Sequence, residues 1–167
     1  AELIVHETWP YRRDDPRFSH TNKLPGKPMT QAAMYDQLTQ ANRTIANELG
    51  ARLIPTGDAF HIADTDPTWA YQTDTTFNPK AAKQPELPNQ THSLHVGWRW
   101  AKPKNGGKIA LSMDGHHASM AGEYLGACVW FEVLFGESAV GNTFMPKGLD
   151  PTDARYLQET AHRAVSV

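Results

Sequence analysis

The order of apolar segments at the start of the chain does most to limit its fold. Leu3-Ile4-Val5 is a short, continuous apolar run, the pattern of a strand buried on both faces. After a long polar, proline-bearing stretch, Met34, Leu38, Ala41, Ile45 and Leu49 recur at steps of three and four. That spacing predicts an amphipathic helix over about 30–49, with Gly50 closing it as a C-cap. A second apolar run, Arg52 to Pro55, follows at once. Strand, helix, strand is the βαβ unit of a parallel sheet, so the two runs are expected side by side with the helix on one face.

The rest of the chain adds fewer constraints. Asp58 to Tyr71 reads as a helical turn or two, and Gln72 to Gln90 as a long aperiodic loop holding Pro79, Pro85 and Pro88. Loops of that length in compact domains are commonly functional. Leu94, Val96, Trp98 and Trp100 alternate with polar residues or glycine, as do Ile109, Leu111 and Met113. The turn-like Lys102–Lys108 segment between them suggests a hairpin, although the second run could pair in parallel. Trp98 and Trp100 share a strand face and are expected in the core. Ser119 is placed to cap the apolar helix that follows. Asp150-Pro151-Thr152-Asp153 opens a last helix, with Ala154, Leu157, Ala161 and Ala164 on its apolar face.

The 167 residues suit one domain, and 40% apolar content is enough for one core. A net charge of −2 without a basic stripe argues against a nucleic-acid partner. Arg12-Arg13-Asp14-Asp15-Pro16-Arg17 alternates in sign and reads as a solvated loop. No span fits a bilayer, because Gly122, Glu123, Gly126 and Glu132 break the most apolar run. Cys128 is single, so it forms no intrachain disulfide and is expected as a buried thiol. Asn42-Arg43-Thr44 and Asn89-Gln90-Thr91 match the glycosylation sequon, a pattern short enough to arise by chance. The opening "AELIV" enters a strand pattern with no leader, which suggests a domain incomplete at its N-terminus.

Asp114, Gly115, His116 and His117 sit between the last strand pattern and the apolar helix. Open α/β sheets place their ligands where strands end and helices begin. Asp114 is spaced to orient His117, with Gly115 allowing a tight turn between them, and His116 is expected to point away from the pair. A carboxylate that holds one imidazole nitrogen leaves the other as a general base. That is half of a nucleophile-activating triad.

The string "DGHHASMAGEYLGACVWFEVLFG" resembles the last block of the SGNH (GDSL-type) hydrolases, with Asp114, His117 and Gly122 at the matching spacing. The tail "GNTFMPKGLDPTDARYLQETAHRAV" is similar to esterase-like bacterial members, so the resemblance spans roughly the whole chain as the C-terminal part of such a domain. It implies a three-layer α/β/α sandwich with a mainly parallel sheet. It also implies a serine-esterase reaction on acyl esters, among them acylated carbohydrates, without a cofactor, and it allows a secreted or periplasmic location. His117 would be the base and Asp114 its orienter. The family's Gly-Asp-Ser block is absent; the nearest string is Gly57-Asp58-Ala59, and the first strand runs into His6-Glu7-Thr8-Trp9 instead of oxyanion donors. The nucleophilic serine is therefore expected from an upstream segment.

Glu7 and Trp9, just past the first strand, either line the substrate pocket or simply pack. His116 is either pocket-lining or structural. A metal site is not expected: Asp114, His116 and His117 would need further ligands, and no spacing singles out His61, His92 or His95. Ser112 shares the strand face of Asp114, but nothing else marks it as a nucleophile. The rival reading, from a different class, is a non-catalytic α/β module that binds carbohydrate or a protein partner.

Overall fold

A computed structural model describes residues 2–18, 30–104 and 106–166. Its elements are β1 (Ile4–His6), α1 (Gln31–Leu49), β2 (Arg52–Ile54), α2 (Thr56–Thr65), β3 (His95–Ala101), β4 (Ala110–Ala118), α3 (Met120–Phe135) and α4 (Pro151–Val165). The fold is mixed α/β. β1 and β2 pair in parallel, with Val5 opposite Leu53, and α1 packs on both strands. β3 and β4 form a separate antiparallel pair, which settles the hairpin alternative.

Local chemistry sets the helix ends. The Thr30 hydroxyl accepts from the Ala33 N–H, Ser119 from Gly122 and Asp150 from Thr152, each satisfying a donor that the first helical turn leaves unpaired. Gly50 closes α1 at φ 58°, the left-handed conformation that glycine adopts without strain. The core lies where α2, α3 and α4 meet, with Phe60, Leu94, Leu125, Val129, Leu157 and Ala161 fully buried. Cys128 is buried there too, and burial pushes its thiol up to about 11. No helix among the described residues is long and apolar enough to cross a membrane.

Two expectations need correction. The charged string from Arg12 to Arg17 is not a solvated loop, since Arg12 is 1% exposed and Asp15 is 4% exposed. Arg12 grips Asp14 through Nε at 2.6 Å, reaches Gln90 and Ser93 through Nη1, and lies 4.3 Å above the Tyr71 ring. Burial of a guanidinium is tolerated because every face of it is partnered. Trp98 and Trp100 are half-buried rather than in the core. The aperiodic segment 72–90 covers them: Phe77 lies 6.1 Å from Trp98, and the Trp100 indole donates to the Glu86 carbonyl.

Candidate active site

Asp114, His116 and His117 lie within β4 itself, not in a turn after it. In a regular strand, residues three apart face opposite sides, which would separate Asp114 from His117. The ladder is irregular here. Gly97 pairs with Asp114 and His95 with Ala118, so Val96 alone opposes residues 115–117. The bulge bends β4 and re-aims its side chains. His117 thereby donates its backbone N–H to Asp114 Oδ1 at 3.2 Å, and its ring Nδ1 lies 3.0 Å from both carboxylate oxygens.

The loop after β1 holds this bulge from below. Arg12 donates its backbone N–H to the Gly115 carbonyl at 2.8 Å, and the Asp15 carboxylate fills the space that a side chain at Gly115 would need. Asp15 is in turn chelated by Arg17 through Nε at 2.8 Å and Nη2 at 2.7 Å. Arg17 then extends over the Tyr11 ring to His116, with Nη2 3.1 Å from Nδ1. From β3, Arg99 donates to Asp114 Oδ2 at 3.1 Å. Burial pushes the Asp114 carboxyl up, but hydrogen bonds from His117 and the charges of both histidines leave it net lowered. Asp15 is also net lowered, with the Arg17 bonds outweighing its burial.

The structure joins Asp114, His117, His116 and Trp9 and leaves Glu7 elsewhere. His116 does not point away: its Nδ1 is 3.2 Å from Asp114 Oδ1, and its ring centroid is 4.0 Å from that of His117. The bulge turns both rings to the same carboxylate. Trp9 stacks on Phe60 and donates its indole N–H to the His116 carbonyl at 3.0 Å. Glu7 is fully buried against α1, accepting from the Thr39 hydroxyl at 2.6 Å, and its burial raises its carboxyl. Sequence reasoning missed Asp15, Arg17 and Arg99. No local spacing could have placed them in the site, because the groups they meet there, Gly115, His116 and Asp114, lie in other segments of the chain.

Asp114, His116 and His117 offer three metal-ligand atoms within 4.8 Å of one another. The donor types suit a transition metal. However, Arg17 already contacts His116 Nδ1 and Arg99 contacts Asp114 Oδ2, so a cation held by these atoms would compete with two guanidinium groups.

Among the described residues, no hydroxyl is hydrogen-bonded to His117. Ser112 Oγ donates to the Arg99 carbonyl at 3.4 Å instead. A second Ser–His–acid group, Ser138, His162 and Glu132, closes the turn after α3. Ser138 at 3.4 Å and Glu132 at 3.0 Å both meet His162 at Nδ1. A relay needs the two partners on different ring nitrogens, so this cluster is a structural clasp.

No protein-family model matches the chain, and no curated protein matches it. The fold is similar to the crystal structure of a DUF4886 family protein from Bacteroides uniformis ATCC 8492. The TM-score is 0.65 at 23% identity, over 99% of this chain and 48% of that one. The chain thus spans about half the length of that protein, and at this identity the likeness concerns the fold alone.

Proposed function

We propose that Asp114 and His117 form the acid–base half of an SGNH-type serine esterase acting on acyl esters, acylated carbohydrates among them. The observation that carries this reading is the grip of one buried carboxylate on Nδ1 and on the backbone N–H of the same histidine. An Nδ1–H held in this way places the lone pair on Nε2, in a ring that is largely exposed. The serine would come from polypeptide outside these 167 residues. His117 would take its proton as Oγ attacks the acyl carbon, then return that proton to the leaving alcohol. Water would release the acyl group by the same route. β1 and β2 would then be neighbours in the central sheet of a three-layer α/β/α sandwich.

The second reading is a non-catalytic α/β module that binds carbohydrate or a protein partner and does no chemistry. Turnover of p-nitrophenyl acetate separates the two. The 167-residue chain should hydrolyse it barely above background, and a longer parent form should be active. His117→Ala in that form should cost about 10³–10⁴-fold in kcat, with Asp114→Asn close behind because it favours the wrong tautomer. A parent form whose activity survives His117→Ala would end the esterase mechanism, and an inactive parent would leave the binding module.

A further inference from the structure

The charged and imidazole groups around His117 are sorted by depth. The two carboxylates lie beneath, with the Asp15 side chain 2% exposed and that of Asp114 10%. The nitrogen-bearing side chains lie above them: Arg17 at 42%, Arg99 at 53%, His116 at 41% and His117 at 70%. A ligand arriving from solvent therefore meets guanidinium N–H groups and imidazole edges, among them the open Nε2 of His117, not carboxylate oxygens. Each buried carboxylate holds one guanidinium in place, Asp15 by a two-point grip and Asp114 by a single bond to Arg99 Nη2. Arg99 spends one Nη2 hydrogen on a described residue, so one of its two-point edges, the second Nη2 hydrogen with either Nε or Nη1, remains for a ligand. Donors fixed before the ligand arrives lose less freedom on binding than mobile ones. A guanidinium edge matches the two oxygens of a carboxylate or phosphate, which makes the contact selective for planar or tetrahedral oxyanions.

We infer that this face is an anion subsite next to the base, and that the ester substrate carries a carboxylate, as an acylated acidic sugar does. The inference deepens the hydrolase reading and rests on it, with Arg99 as the specificity-determining residue. An ester held by its acid group would sit within reach of His117, on the same strand pair as Arg99.

Binding to the 167-residue chain tests this without any nucleophile. Glucuronate, glucose and inorganic phosphate are titrated separately while the backbone amide and imidazole resonances of residues 97–99 and 114–118 are followed by NMR. Glucuronate should shift these resonances saturably, more weakly as salt rises, while glucose leaves them in place. Arg99→Gln should weaken glucuronate by about tenfold or more, as expected for loss of a charge-assisted contact. Arg155→Gln, on the exposed side of α4, should change nothing. Equal responses to glucose and glucuronate would overturn the subsite, as would unchanged glucuronate binding by Arg99→Gln. A response to phosphate but not to glucuronate would overturn the acidic-sugar assignment. Each of these failures leaves esterase activity on neutral esters standing, whereas loss of the esterase assignment in the parent form leaves any measured anion binding intact.

Discussion

Arg12 has the largest expected effect of any single substitution. Its guanidinium joins Asp14, Gln90 and Ser93, and Tyr71 covers its face and donates its own hydroxyl to Asp14. Arg12→Gln should cost about 3–5 kcal/mol, because it leaves partners buried without their counter-charge. Arg12→Lys should recover little of that, since an ammonium cannot hold the forked contacts. The midpoint of urea unfolding measures both. Sequence reasoning placed this residue in solvent because sign alternation is a local signal, while its burial depends on Gln90 and Ser93, 78 and 81 residues further along the chain. Asp114 and His117 were legible for the opposite reason. They are three residues apart, and their pairing needs nothing distant to be proposed.

At the scale of elements, helix ends were the most readable part of the sequence, because caps are chosen by residues within one turn of them. Gly50, Ser119 and Asp150 stand as caps at the observed boundaries, and Thr30, not singled out in the sequence, caps α1 at its expected start near residue 30. Ser119 has two tasks, since its hydroxyl also donates to the Ser93 carbonyl at 2.8 Å. Ser119→Ala should lower stability by about 1–2 kcal/mol, visible as a lower Tm. The β4 bulge was not readable, since the apolar alternation stops at Met113 and only the partner strand reveals the offset. Gly97 marks its other side at φ 71°, where a methyl group would strike Gln90 and the Arg12 guanidinium. Gly97→Ala should therefore destabilise more than Ser119→Ala, combining left-handed strain with a clash. It should also move the His117 ring resonance as the bulge shifts.

At the scale of the molecule, two buried titratable groups oppose each other in the same pH range. Burial raises Asp64 from 3.8 to about 6, so its contribution is present at low pH and lost as pH rises through about 6. Burial lowers His95 from 6.5 to about 4, so its contribution is present above 6.5 and lost as pH falls toward 4. Their slopes have opposite sign, and between pH 4 and 6 they largely cancel. Asp64→Asn should expose the His95 slope, with stability falling on acidification. His95→Gln should expose the Asp64 slope, with stability rising. Urea midpoints across pH 4–7 read both signs.

The bonds that hold the β4 bulge tie together parts of the chain that are far apart in sequence. The Trp9–His116 bond links residues 107 apart, Arg17–His116 links residues 99 apart, and Pro10–His95 links residues 85 apart. Closing such long loops costs entropy before any contact forms, so the group around His117 should be among the last parts of the chain to assemble during refolding. It also cannot open by itself without releasing the strands beneath it. The Arg12 amide, bonded to the Gly115 carbonyl, should exchange its hydrogen with solvent only when the whole domain unfolds. Its protection would then report the global unfolding free energy, from an atom that touches the bulge directly.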